Sequence, residues 1–332
     1  MAAPDTTIHD VVIVGAGPAG LTAGIYASRG RLDTVVLERN MAGGQIAVTE
    51  LVENYPGFPE GISGFDLSEK FKEQALKFGA DLREIQSVTG LERDTHQDAW
   101  AVQTDQGPVY GRAVILAPGR EPRRSGIPGE AEFIGRGVSW CATCDGALYR
   151  DRVVAVIGGG DAAVEEGMFL AKFATKVYLV HRRRELRAAA IAQERCFANE
   201  KFEFVWDSVP YRIDGAEMVE ALEVKDVKTG EVRTLPVNGV FMYIGQIPNT
   251  EWLKGVVELD ETGYIVIDQD MRTSRPGVYA AGDAAVSELK QIAMATGQGA
   301  LAAVQAEKYL DTLACPMPSP GPAAGDSAAA AV

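Results

Sequence analysis

The sequence predicts an α/β fold built on two Rossmann-like units, and three observations carry that reading. The stretches HDVVIVGAGPAGLTAGIYA (9–27) and DRVVAVIGGGDAAVEEGMFLA (151–171) share one grammar: an apolar β-branched run, a Gly-rich turn, then an amphipathic helix. Each is followed by a further strand, DTVVLE (33–38) and TKVYLV (175–180), which completes a βαβ unit. The chain, at 332 residues, is also too long for one small core, so two domains are expected.

Composition narrows the partners. Hydrophobic residues make up 46% and charged residues 23%, as in ordinary soluble proteins. No apolar run has the length needed to cross a bilayer, and MAAPDTTIHD lacks the basic-then-apolar pattern of a secretory leader, so a cytoplasmic protein is expected. The net charge of −14 argues against general binding to nucleic acid or anionic membrane. The one dense basic run, HRRRELR (181–187), must then serve something small and anionic.

In the first unit the turn is Gly15-Ala-Gly17-Pro-Ala-Gly20. The first Gly permits a tight turn, the second lets a pyrophosphate approach the backbone, and the third lets helix pack on strand, while the helix N-terminus offers N–H groups to phosphate. Glu38, eighteen residues past Gly20, stands where a carboxylate can accept from a ribose 2′-hydroxyl. The second turn is Gly158-Gly-Gly160-Asp-Ala-Ala163, with Ala a permitted substitute for the third Gly. Eighteen residues past Ala163 stands His181, so the acid is replaced by the basic run. A carboxylate there would repel a 2′-phosphate, whereas Arg182, Arg183 and Arg187 attract one.

Three more segments read as buried strands that end in turns: AVILAPG (113–119), GVFMYIGQIPNT (239–250) and GVYAAGDAA (277–285). A long helical pattern then runs to about Leu313, and the Pro, Ala, Gly and Ser tail is expected to lack structure. Two nucleotide sites on one chain suggest electron transfer between two cofactors. NADPH fits the second site. FAD fits the first, which distant segments complete, among them the strand-end acid Asp283.

The motifs GAGPAG, GGQ (43–45), VENYPGF (52–58), CATCDG (141–146), GGGDAAVEE (158–166), HRRRELR and AAGDAA occur in an order and spacing that resemble bacterial-type, low-molecular-weight thioredoxin reductase, over about residues 9–313. The resemblance implies two three-layer domains. The NADPH-binding one (118–246) is inserted into a discontinuous FAD-binding one (1–117 and 247–313), and residues 314–332 form a tail. It also implies a homodimer and NADPH-dependent reduction of a thioredoxin disulfide. The positions matching the family's FAD contacts are Gly15, Gly17, Ala19, Gly20, Glu38, Gly44, Gln45, Asn54, Asp283 and Gln291. Those matching its NADPH contacts are Gly158, Gly160, Asp161, Ala162, Glu165, His181, Arg182, Arg183 and Arg187. Pro118 replaces a frequent Thr, and Lys290 a usual Arg, which bears on flavin tuning.

The pair Cys141 and Cys144 is then best read as redox-active. A metal site needs more ligands than this pair, and the chain has three histidines and no second Cys-x-x-Cys. A staple over so short a loop constrains the unfolded chain little, whereas a close dithiol opens and closes readily. By resemblance and chemistry together, Cys144 faces the flavin and Cys141 attacks the substrate disulfide. Asp145, as the only nearby proton-handling group, takes the general acid–base role. Cys196 is expected to be a small core or interface residue, and Cys315 an exposed tail thiol. The competing readings are a flavin reductase with another electron donor or another thioredoxin-like substrate, a ferredoxin–NADP reductase, and a redox-inert nucleotide-binding protein.

Overall fold

The computed structural model describes residues 7–49 and 51–314. The tail from Cys315 onward, with the expectation about that thiol, lies outside the described residues.

Strand β1 (Ile8–Val14) leads through a Gly-rich turn into α1 (Pro18–Arg29) and β2 (Thr34–Leu37); α2 (Gly64–Phe78), β3 (Asp81–Arg83), β4 (Val88–Asp94), β5 (Ala99–Thr104) and β6 (Val109–Leu116) follow. These strands lie in the order β3-β2-β1-β6-β5-β4, with β1 parallel to both of its neighbours and β5 antiparallel to its own. Burial on both faces explains the unbroken apolar run in β1. Its side chains alternate: Val11 and Ile13 enter the core under α1 and α2, while Val12 and Val14 enter a second core on the other face. Helix α2 begins at Ser63, whose hydroxyl accepts from the Asp66 N–H, and stops at Gly79, which adopts φ +101°.

The next segment contains β7 (Arg120–Pro122), β8 (Val138–Ser139), the single turn α3 (Ala142–Asp145), β9 (Val153–Ile157), α4 (Asp161–Leu170), β10 (Lys176–Val180), α5 (Ala190–Phe197) and β11 (Phe202–Val205). Then come β12 (Ser208–Gly215), β13 (Val219–Asp226), β14 (Val232–Pro236), β15 (Gly239–Met242) and β16 (Gln246–Pro248). A parallel sheet in the order β11-β10-β9-β15-β8 forms the centre. The antiparallel meander β12-β13-β14 covers one face, sharing a core with Ala155 and Ile157, while Val154 and Val156 pack on the helical side.

The chain then returns to the first sheet. Strand β17 (Val278–Ala280) pairs with β6, and α6 (Ile292–Ala314) packs on α1. The five-stranded sheet is thus inserted between strands of the seven-stranded one, giving the two-unit FAD/NAD(P)-binding type of fold. The two crossings meet in an antiparallel ribbon of β7 and β16.

Close packing of α6 on α1 depends on Gly299. A Cβ there would lie 2.1 Å from the Ala19 carbonyl oxygen, whereas at Gly297, two residues earlier, it would meet nothing within 4 Å. Gly299→Ala is expected to cost about 1–3 kcal/mol by forcing the helices apart. Gly297→Ala should instead stabilise by roughly 0.5–1 kcal/mol through helix propensity. Denaturant midpoints of the two variants check the contrast, and equal shifts would refute it.

Candidate functional site

At the C-terminal edge of β1 the three glycines of the first turn divide their duties as expected. Gly15 adopts φ +99°, and its Cβ position is filled by the Ala117 carbonyl oxygen at 2.2 Å. A Cβ on Gly20 would lie 1.8 Å from the Gly15 carbonyl oxygen, whereas one on Gly17 would meet only Gly44 Cα, at 3.9 Å. The backbone can therefore be approached closely at Gly17, the N-cap of α1, which has no capping side chain. Glu38 follows directly on the strand paired to β1, with Leu37 opposite Val14. Its carboxylate accepts from Ala16 N–H (2.8 Å) and Asn40 N–H (2.9 Å), which fixes it beside the turn.

The remaining residues expected at this site come from distant segments. Gly43 N–H bonds the Ala16 carbonyl, bringing Gly44 and Gln45 to the turn. The Asn54 amide donates to Gln291 Oε1 at 3.0 Å. Gly282 stands over Ala19 and carries Asp283 beside it. One contact was not foreseen: Asp283 pairs with Arg120 of the ribbon (2.7 Å), whose carbonyl in turn accepts from Gln45. Lys290 is half-buried, and its ammonium donates to the Asp283 and Ala285 carbonyls. Burial lowers its pKa.

The second turn repeats this geometry. Gly158 adopts φ +148°, and a Cβ there would lie 2.4 Å from the Tyr243 carbonyl oxygen, whereas one on Gly160 would meet nothing within 4 Å. Ile157 pairs with Val180, so His181 occupies the place that Glu38 holds in the first unit. The His181 ring is buried against Gly159, and burial followed by the Arg187 guanidinium holds its pKa below the usual histidine range. The Arg187 N–H donates to the Gly159 carbonyl at 2.6 Å, tying the basic run to the turn. Arg182, Arg183 and Arg187 are exposed and form no salt bridge among the described residues, whereas Arg184 pairs with Asp207 at 2.6 Å. Asp161 accepts from Ala189 N–H (2.6 Å), next to an exposed Ala162. Glu165 has its pKa raised by burial and then by Asp161. Two open glycines at helix-opening turns, with three guanidinium groups outside any salt bridge beside one of them, fit two dinucleotides.

Cys141 and Cys144 are joined in a disulfide with Cα atoms 5.3 Å apart. Cys141 caps α3, its sulfur accepting from Cys144 N–H at 3.1 Å; Cys141 is half-buried and Cys144 exposed. The expectation that Asp145 is the only proton-handling group nearby is too narrow. The Ala142 N–H donates to both Glu166 Oε2 and Tyr243 Oη, each at 3.0 Å, and the Tyr243 hydroxyl donates to Glu166 Oε2 at 3.3 Å. Sequence reading missed these two because they lie 24 and 101 positions from Ala142. Cys196 is buried, as expected, and burial pushes its thiol up to about 11. Among the described residues no group of three or more His, Cys, Asp or Glu is arranged to hold a metal, and no helix is long and apolar enough to cross a membrane.

The pyridine nucleotide-disulphide oxidoreductase family model matches residues 9–299. Thioredoxin reductase of Listeria innocua is 45% identical over 317 residues, which cover 94% of this chain and 97% of that protein. The chain belongs to the pyridine nucleotide-disulphide oxidoreductases, on the thioredoxin reductase branch. As a member of that family it is an oxidoreductase that works with a flavin and a pyridine nucleotide. The crystal structure of Lactococcus lactis thioredoxin reductase in its FR conformation superposes with a TM-score of 0.88 at 42% identity, covering 91% of this chain and 99% of that one. Streptococcus pyogenes thioredoxin reductase, also 42% identical and covering 92% and 99%, gives only 0.62.

The basic run generates a direct test of this pyridine nucleotide-disulphide oxidoreductase. Replacing Arg182 and Arg187 together by Ala is expected to raise the KM for a 2′-phosphorylated dinucleotide far more than for its unphosphorylated counterpart. Each charge-assisted contact is worth about 1.5–3 kcal/mol, so a tenfold or greater loss per Arg is expected. A double variant that keeps its preference for the phosphorylated form would remove this role from the cluster.

Proposed function

We propose that the protein is an NADPH-dependent thioredoxin-disulfide reductase. The observation that carries this reading is the placement of a partly exposed Cys-x-x-Cys disulfide in the same unit as a Gly-rich turn whose acid has been replaced by His181 and three free Arg residues. FAD is assigned to the first turn, held by Gly15, Gly17, Ala19, Gly20, Glu38, Gly44, Gln45, Asn54, Asp283 and Gln291. NADPH is assigned to the second, held by Gly158, Gly160, Asp161, Ala162, Glu165, His181, Arg182, Arg183 and Arg187. A neutral His181 beside the guanidinium groups can stack or donate without adding charge. The chemistry these cofactors supply when bound is two-electron transfer from NADPH through FAD to the disulfide.

The chain's own residues do the rest. The Cys144 N–H bond to the Cys141 sulfur favours charge on that sulfur, which supports Cys141 as the attacking thiolate and Cys144 as the partner that resolves the mixed disulfide. Asp145, next in the chain, supplies or takes the proton. A homodimer in the cytoplasm, with domain boundaries at 117/118 and 246/247, completes the proposal. Relatives equally identical in sequence superpose at TM-scores of 0.88 and 0.62, which supports two relative placements of the same two units. In the present one, every hydrogen bond of the Cys141–Asp145 turn runs within its own unit. Between the units Arg195 meets Glu53 at 2.9 Å, and with both side chains about half exposed, solvent screens the pair and leaves it weak. A contact that weak suits a domain that must swing about the β7–β16 ribbon.

Two outcomes follow. Cys141→Ser and Cys144→Ser are each expected to abolish thioredoxin reduction while leaving flavin bleaching by NADPH intact. Only the variant retaining Cys144 should show a thiolate–flavin charge-transfer band. The band in Cys144→Ser instead would reverse the two roles, and flavin that NADPH cannot bleach would sink the function. Separately, joining Cys residues at positions 53 and 195 with a short bis-maleimide, in a background without Cys196 and Cys315, should hold the present placement. NADPH-driven flavin bleaching should survive and steady-state thioredoxin reduction should stop; full turnover by the linked protein would refute the swing.

A further inference from the structure

The two units are built alike up to one position. Val14 pairs with Leu116, after which Ala117 returns an N–H to the Val14 carbonyl at 2.8 Å. Ile157 pairs with Met242, after which Tyr243 does the same to the Ile157 carbonyl at 2.7 Å. Where the first unit has a methyl group, the second has a phenol that reaches under the disulfide. There its hydroxyl accepts from Ala142 N–H and donates to Glu166 Oε2, which also accepts from Ala142 N–H. Two donors converging on one Glu166 oxygen favour the charged form of its carboxyl group. Only the peptide between Cys141 and Ala142 and one hydrogen bond separate that carboxylate from Cys141.

We propose that Glu166, held by Tyr243, is a positioning residue that sets how readily the Cys141 thiol ionises and therefore how strongly the dithiol reduces. The inference rests on the reading of the pair as the electron-transferring disulfide. Opening it takes two electrons and one proton, breaks the S–S bond and leaves one thiol and one thiolate. The Cys141 thiolate then attacks a substrate disulfide, whose own S–S bond breaks with release of a thiolate; Cys144 resolves the mixed disulfide and frees the second substrate sulfur. A fixed negative charge beside Cys141 disfavours its thiolate. Dithiols whose reduced form is stabilised as thiolate are strong oxidants, so a reductase gains from the opposite bias. The Cys144 N–H bond pulls Cys141 one way and Glu166 pulls it the other.

Other titratable groups share this surface. Asp145 lies on α3, Tyr149 on the following turn, Asp161 and Glu165 on α4, Lys172 just past α4 over the Phe169 ring, and Arg195 on α5, where it faces Glu53. The test therefore changes the charge at Glu166 alone and keeps its shape. In a Cys144→Ser background, the midpoint pH for alkylation of reduced Cys141 by iodoacetamide is compared with and without Glu166→Gln. The midpoint is expected to fall by about one unit. In the intact flavin-loaded enzyme, the same substitution should favour the dithiol over the disulfide about tenfold against a dithiol buffer, which corresponds to about 30 mV for two electrons. Tyr243→Phe should shift both readings in the same direction by less, and the double variant should go no further than Glu166→Gln. Rates of flavin bleaching by NADPH serve as the control and should not change.

If Glu166→Gln leaves both the midpoint and the equilibrium where they were, or moves them the other way, Glu166 only holds the turn and the inference is wrong. If Glu166→Gln is too unstable to measure, Tyr243→Phe decides in the same way. A wild-type disulfide that NADPH and flavin cannot open would instead overturn the proposed function itself.

Discussion

The close backbone approach at the end of the first strand in each unit is the constraint from which the rest follows. At Gly15 and Gly158 the chain turns with positive φ while a carbonyl oxygen of the neighbouring strand fills the space a side chain would need. Only glycine satisfies both demands. The turn so made leaves Gly17 and Gly160 open toward a ligand and starts a helix whose first N–H groups have no side-chain cap. The crowding carbonyls belong to Ala117 and Tyr243, residues from which the chain leaves one sheet for the ribbon. Nucleotide turn and inter-unit connection are therefore neighbours by construction.

Given two copies of this frame, charge at a single register distinguishes them. Glu38 is pinned by two backbone N–H groups next to the first turn. The second unit places a buried imidazole there, its pKa lowered by burial and then by Arg187, and surrounds it with exposed guanidinium groups. The chain as a whole is acidic, so this local reversal of sign stands out against its surroundings and can focus an anion onto one turn. Arg184, in the midst of the run, is spent on Asp207. The basic run is thus not one uniform patch but a set of residues with divided tasks.

The disulfide sits in the unit with the basic run, on a single helical turn whose amide is held from below by Glu166 and Tyr243. In this placement Cys144 is exposed and Cys141 half-buried. A weak exposed ion pair and a short two-stranded ribbon join the units. Joints of this kind permit movement at low energetic cost, whereas a broad apolar interface would not.

Much of this was legible in the residues themselves. Strand, turn and helix of each βαβ unit are local in sequence, and the parallel pairing of adjacent strands fixes where the residue eighteen positions on must fall. Glu38 and His181 could therefore be matched by counting, and the CATCDG stretch became readable as a redox pair through the motifs that flank it. Tertiary structure alone decided the contacts between segments that share no local pattern. The β12–β14 meander, the Arg120–Asp283 pair at the ribbon, the Arg195–Glu53 contact between units and the Glu166–Tyr243 support beneath the dithiol all depend on which strand lies beside which. Tyr243 shows the reason. In the sequence it is one more apolar residue at the end of a buried strand, and its hydroxyl acquires a task only when that strand is laid next to β9 and the disulfide turn is folded over it.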